Sequence, residues 1–196
     1  MGASAAAVFR AEFARHVAVA EATAASLEPA FMRLVTLAAV TLVSGGKLIF
    51  FGNGGSAADA QHLATELCVR YRSERKALPA IALSADGVLL TAAANDLGFE
   101  QIFARQIEAL GRPGDLAIAL STSGRSPNVI AGLRSARSAG LSTAAFGGGQ
   151  GGMLPVLADP VLLVPAEETS RIQEMHITLG HMLCAALESE LGLGEV

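Results

Sequence analysis

Charge is scarce in this chain. Asp, Glu, Lys and Arg make up 16% of 196 residues, and 14 basic against 18 acidic side chains leave a formal net charge of −4. No basic stripe is available to neutralise a phosphate backbone, which excludes nucleic acid as a substrate but not a small anion held by local N–H groups. Cysteine is scarce too. Cys68 and Cys184 lie far apart with no CxxC spacing, so two buried, reduced thiols are expected, and with them a cytoplasmic chain. No signal peptide is expected, because Arg10, Glu12, Arg15 and His16 interrupt any apolar h-region. Ala6 stands where a myristoylation pattern needs Ser or Thr. Once proline and glycine breaks are counted, no apolar run approaches membrane-spanning length, so no membrane partner is expected. No repeat, low-complexity tract or linker divides residues 1–196, which read as one domain.

Hydrophobic residues are plentiful, at 52%. With so few charges to cover the surface, part of it is expected to be buried by other subunits. Two helices are predicted before the first strand. One covers residues 4–27, with Val8, Phe9, Phe13, Val17 and Ala20 in a stripe; the other runs from Pro29 to Ser44 and ends at Gly45-Gly46. Residues 1–45 are thus an N-terminal helical layer suited to a subunit interface, and residues 46–196 an α/β core. Within that core, strands are predicted at 47–51, 79–83, 116–120, 142–146 and 160–164. Helices are predicted at 56–71, 86–94, 99–110, 127–139, 152–157 and 169–191. Short apolar strands alternating with helices indicate a parallel sheet covered on both faces, with ligands bound beyond the strand carboxyl ends.

Two turns sit at such ends. The first is Gly52-Asn53-Gly54-Gly55-Ser56, and the second is Ser121-Thr122-Ser123-Gly124-Arg125-Ser126. Each presents backbone N–H groups at a helix start, where an anion is stabilised, and together they suggest one phosphorylated ligand between them. The first formally satisfies GxGxxA, but Leu83-Ser84-Ala85-Asp86 lacks the carboxylate that a dinucleotide fold expects to close its second strand, and no Walker lysine follows. The second carries four hydroxyls, where an ordinary helix cap needs one, a surplus that favours phosphate. Arg125 either adds charge to it or points to solvent.

His62 and Glu66 are four residues apart and project from one helix face, a spacing that suits a metal ion, a base with an orienting partner, or a plain surface pair. The last helix carries Gln173, His176 and His181; Gln173 and His181 are about 80° apart around it and can reach one cleft. Asn95-Asp96 reads equally as a helix end or as a binder of sugar hydroxyls. His16 reads as a solvated helix position, and Tyr71, the single tyrosine, as the end of its helix.

These motifs, in this order, resemble the sugar isomerase (SIS) domain family: Gly52 to His62 with Glu66, then Asn95-Asp96, Ser121 to Gly124, and Arg171 to His176. The resemblance covers nearly the whole chain. It implies a three-layer α/β/α fold with a flavodoxin-like five-stranded parallel sheet, and a homotetramer with active sites between subunits. Within the family, the pattern is most similar to isomerases of a seven-carbon sugar phosphate. That implies conversion of D-sedoheptulose 7-phosphate to D-glycero-D-manno-heptose 7-phosphate through an enediol, the first step toward ADP- or GDP-heptose precursors of lipopolysaccharide and other heptosides. It also implies one zinc ion (Zn2+) per site, with ligands at His62, Glu66, Gln173 and His181, and proton transfer by Glu66 and His181. Substrate contacts would fall on Asn53, Gly54, Gly55, Ser56, Glu66, Asn95, Asp96, Ser121, Thr122, Ser123, Ser126 and Gln173. Thr169-Ser170 departs from relatives that carry an aspartate there. Aldose–ketose chemistry requires a carboxylate-type base and a second acid/base group, and Glu66 and His181 are of those types. The alternative is a non-catalytic regulatory member of the family, of the kind that associates with the replication initiator; such proteins have lost catalytic residues, whereas Glu66 and His181 both stand here.

Overall fold

Five short apolar runs form one parallel sheet in a computed structural model of the chain, which describes residues 4–193. The outermost residues of the 1–196 span, 1–3 and 194–196, lie outside the described residues. The strands are β1 (Leu48–Gly52), β2 (Ala80–Ala82), β3 (Leu116–Leu120), β4 (Ser142–Gly148) and β5 (Val161–Val164), in the order β2-β1-β3-β4-β5. This is the flavodoxin-like order, whose switch point lies between β1 and β3. The register pairs Gly52 with Leu120, so the two turns leave neighbouring strands side by side.

The helices are α1 (Ala5–Val43), α2 (Gly55–Cys68), α3 (Gly87–Leu97), α4 (Ala104–Leu110), α5 (Pro127–Ser138), α6 (Leu154–Leu157) and α7 (Thr169–Glu190), with a 3-10 turn at Phe99–Gln101. Alternation along β1 sends Leu48 and Phe50 into a core under α1, α2 and α7, and Ile49 and Phe51 into a second core under α3 to α6. Each of these four side chains is fully buried, a gain of about 1.5–3 kcal/mol apiece relative to exposure. Large and small residues trade places across β3: Ile118 fills the first core, while Ala117 and Ala119 leave room for Phe51 and Phe103 in the second. Asp115 ties together the amino ends of β1 and β3, accepting from the backbone N–H and Nζ of Lys47 at 2.9 and 2.5 Å and from Arg112 N–H at 2.8 Å. Burial would raise its carboxyl, but these bonds outweigh that and hold it below the usual range.

The chain departs from the sequence expectations in several of its elements. The two predicted N-terminal helices are one helix, continuous through Pro29. Leu27, Phe31, Leu34 and Val35 pack in the core on either side of the proline, offsetting an interior-proline cost of about 3 kcal/mol. Unbroken, α1 is also long and apolar enough to cross a bilayer by length and composition, contrary to the expectation; a third of its richest window is buried in the chain's own core. The predicted helix over 99–110 is two pieces, and α2 stops at Cys68, which leaves Tyr71 in the following turn. Cys184 is buried as expected, its thiol pushed up to about 12 by burial, but Cys68 is exposed.

Candidate active site

Both turns open onto the switch point, and a pair of carboxamides ties them together. Asn53 Nδ2 donates to Asn128 Oδ1 and Asn128 Nδ2 donates to Asn53 Oδ1, each at 2.8 Å. Asn128 was not among the expected residues. Its partner lies 75 residues away, and nothing local marks it. Gly54 caps α2, and Ser56 is buried in that helix's first turn.

In the second turn, Ser121 Oγ accepts from Gly124 N–H at 3.1 Å and Ser123 Oγ from Arg125 N–H at 3.3 Å. Those bonds shape the turn and leave the hydroxyl protons free to donate. Ser126 occupies the N-cap of α5 without a capping bond from its side chain. Thr122, Ser123 and Arg125 line a cavity of about 200 Å³ closed by Gly148, Gly151 and Thr169. Arg125 borders the cavity while remaining exposed to solvent. Glu167 also lines it, its carboxylate packed on Gly149.

The helix pairs converge. His62 Nε2 lies 3.3 Å from Glu66 Oε1 and 2.8 Å from His181 Nε2, across 119 residues of sequence. One donor atom from each of the three lies within 4.8 Å of the others. Gly180 eases the approach: a Cβ there would meet Leu63 Cδ2 at 2.5 Å, so a larger residue would force the buried Leu63 side chain to shift. Gln173, two turns earlier on α7, lays its carboxamide on Gly55, whose absent Cβ would lie 2.5 Å from Gln173 Nε2. The donor set is of a type that suits zinc. Two imidazole nitrogens and a carboxylate oxygen face one point, and ligand atoms around tetrahedral zinc sit about 3.3 Å apart. Without a shared proton or cation, the opposed Nε2 lone pairs of His62 and His181 would repel.

The remaining candidates lie elsewhere. Asn95 and Asp96 sit exposed at the end of α3, where Asn95 Nδ2 donates to Asp96 Oδ1 at 2.7 Å, and they bond no other site residue among those described. His176 turns into the core, its Nε2–H donating to Gly147 O at 3.1 Å, and burial lowers its pKa to about 4. His16 is not free in solvent: its Nδ1 is 2.7 Å from Glu174 Oε2. Asp59, one turn before His62, has its carboxyl raised by burial, an effect partly opposed by His62. Tyr71, expected only to finish a helix, stacks its ring on His181 at 5.5 Å and 21°.

Residues 12–148 match the SIS domain family model. The chain is 56% identical to the phosphoheptose isomerase of Paramagnetospirillum magneticum over 178 residues, covering 91% of this chain and 93% of that one. The chain belongs to the phosphoheptose isomerase family. Solved structures agree in fold. A phosphoheptose isomerase from Francisella tularensis superposes with a TM-score of 0.92 at 33% identity, covering 95% of this chain and all of that one. That of Neisseria gonorrhoeae gives 0.88 at 37% identity, with 92% and 97% covered. The five-stranded parallel sheet with helices on both faces is thus the family's fold, and phosphoheptose isomerases are sugar-phosphate isomerases.

Proposed function

We propose that this chain interconverts D-sedoheptulose 7-phosphate and D-glycero-D-manno-heptose 7-phosphate, with the helix cluster as its reaction centre and the Ser121–Ser126 turn as its phosphate cradle. The observation that carries the reading is the meeting of Glu66 and His181 from different helices around one point. Along α7, cavity-lining Thr169 and Ile172 are followed by Gln173 and then His181, so one helix runs from the anion cavity to the acid/base pair.

In the open-chain ketose, Glu66 takes a proton from C1, giving the 1,2-enediol, and the proton returns at C2. His181 moves the second proton, from O1 to O2. The two transfers require both groups to reach the same two carbons, which their convergence allows. The phosphate, remote from C1 and C2, contributes binding energy that orients them. His62, Glu66 and His181, with Gln173, would hold a zinc ion, which when bound would polarise the carbonyl and stabilise the enediolate oxygens. Glu66 then acts as base only while its coordination is labile.

The assembly belongs to the same proposal. Val8, Phe9, Phe13 and Val17 are exposed on α1, with the Phe9 and Phe13 rings 4.8 Å apart, a stripe suited to a neighbouring subunit of a homotetramer. Asn95 and Asp96, apart from the cluster in their own subunit, would complete a partner's site. Two free cysteines support cytoplasmic residence. A regulatory, non-catalytic role would not require the Glu66–His181 pair. Glu66→Gln decides: it should abolish turnover with circular dichroism and assembly unchanged, and a near-wild-type rate would remove Glu66 from the role of base.

A further inference from the structure

The turn joining α2 to β2 is fixed by two buried charges that the reaction does not use. The side chains of Arg75 and Glu188 are 1% and 5% exposed. Glu188, two turns beyond His181 on α7, accepts from Arg75 Nε at 2.9 Å and from the backbone N–H groups of Tyr71, Arg72 and Ser73 at 3.2, 3.3 and 3.1 Å. The other guanidinium nitrogens of Arg75 donate to the carbonyls of Glu66 and Leu67, each at 2.9 Å, in the last turn of α2, where carbonyls lack helical partners. Neither charge is left unpaired, the condition under which a buried ion pair is tolerated. One knot thus joins the end of α2, which carries His62 and Glu66, to the end of α7, which carries His181. The turn it grips holds Tyr71, whose ring lies flat on the His181 imidazole while His181 Nε2 faces His62.

We propose that Arg75 and Glu188 are positioning residues of the isomerase site: the pair clamps Tyr71 onto His181 and so sets the plane in which the imidazole meets His62 and Glu66. This rests on the proposed role of His181. The chain contains one tyrosine and no tryptophan, so its tyrosine emission reports Tyr71 alone. Stacking on an imidazole quenches that emission. In metal-free protein, Glu188→Gln should therefore raise tyrosine emission, because a neutral amide no longer pairs with Arg75 and offers one accepting oxygen in place of two. With zinc and substrate, kcat should fall about tenfold while KM stays within about twofold, the usual scale for groups that orient a ligand. Arg75→Lys keeps the charge but loses the reach to the α2 carbonyls, and should shift emission and kcat in the same directions by less; it carries the test if Glu188→Gln does not fold. Tyr71→Ala should show the same kcat-against-KM split, and Tyr71→Phe should restore most of the rate. Wild-type emission in both clamp variants, or a wild-type kcat in Tyr71→Ala, would overturn the proposal. A wild type that turns over no heptose phosphate would instead remove the isomerase reading, while the metal-free emission still tests the clamp.

Discussion

Lowering the pH from 7 to 4 tests the packing of α7 through a histidine that catalysis does not involve. The His176 ring is fully buried and tilted against Phe146 at 5.8 Å. Its Nε2–H is held by Gly147 O, which leaves Nδ1 as a buried lone pair without a partner among the described residues. A proton added there would have no acceptor, so burial lowers the pKa from 6.5 to about 4, with the Gly147 bond opposing it more weakly. Between those values the unfolded chain binds a proton that the folded chain refuses. Stability is therefore lost as pH falls from about 6.5 to about 4. At about 1.4 kcal/mol per pH unit, this one side chain removes about 3 kcal/mol. Urea unfolding at fixed protein concentration, repeated at half-unit steps, reads the loss directly. His176→Leu should be less stable at pH 7 by about 1–3 kcal/mol, because Gly147 O loses its donor. Its curve should then converge on the wild-type curve by about 3 kcal/mol at pH 4. Asp115 and Glu188, whose carboxyls are held low against the pull of burial, lose their own contributions as pH falls through their folded values, equally in both proteins. Parallel curves for wild type and variant would show that the His176 ring does not resist protonation in the folded chain.

Two further outcomes probe the site. Gly55→Ala puts a methyl where the Gln173 carboxamide lies; that side chain can swing away, so thermal stability should hold within about 1 kcal/mol, while zinc retention and kcat fall together about tenfold, as metal analysis and steady-state kinetics would reveal. Unchanged kinetics would mean that the carboxamide's position is irrelevant. Ser123→Ala should raise KM by about tenfold, the value of one charge-assisted hydrogen bond, with little change in kcat, and an unaltered KM would place the phosphate elsewhere.

Much of this could be read from the residues because it is local. β3 was legible to the residue, since Asp115 and Ser121 bound a purely apolar run, and the His62–Glu66 pair follows from helical spacing. Local signals fail where packing overrules them. Pro29 reads as a helix boundary, yet Leu27 and Phe31 bury on both sides of it and the helix continues. The edge strand β2 keeps only Ala80–Ala82 of its predicted span, since it pairs on one side alone. The rest of the site depends on partners distant in sequence. His181 meets His62 across 119 residues, Asn128 meets Asn53 across 75, and Glu188 grips a turn more than 110 residues away. No spacing rule encodes these contacts. His16 illustrates the same point, since its carboxylate partner Glu174 lies on another helix.

The proposed work of the His62–Glu66–His181 cluster is aldose–ketose isomerisation of a phosphorylated heptose. Its most direct measurement is metal analysis of the purified protein coupled to an assay of D-sedoheptulose 7-phosphate turnover, before and after chelation and again after zinc is restored. About one zinc per chain is expected, with formation of D-glycero-D-manno-heptose 7-phosphate, loss of that activity with the metal, and its return with zinc. Zinc-supplemented protein that binds the metal yet forms no product would contradict that role.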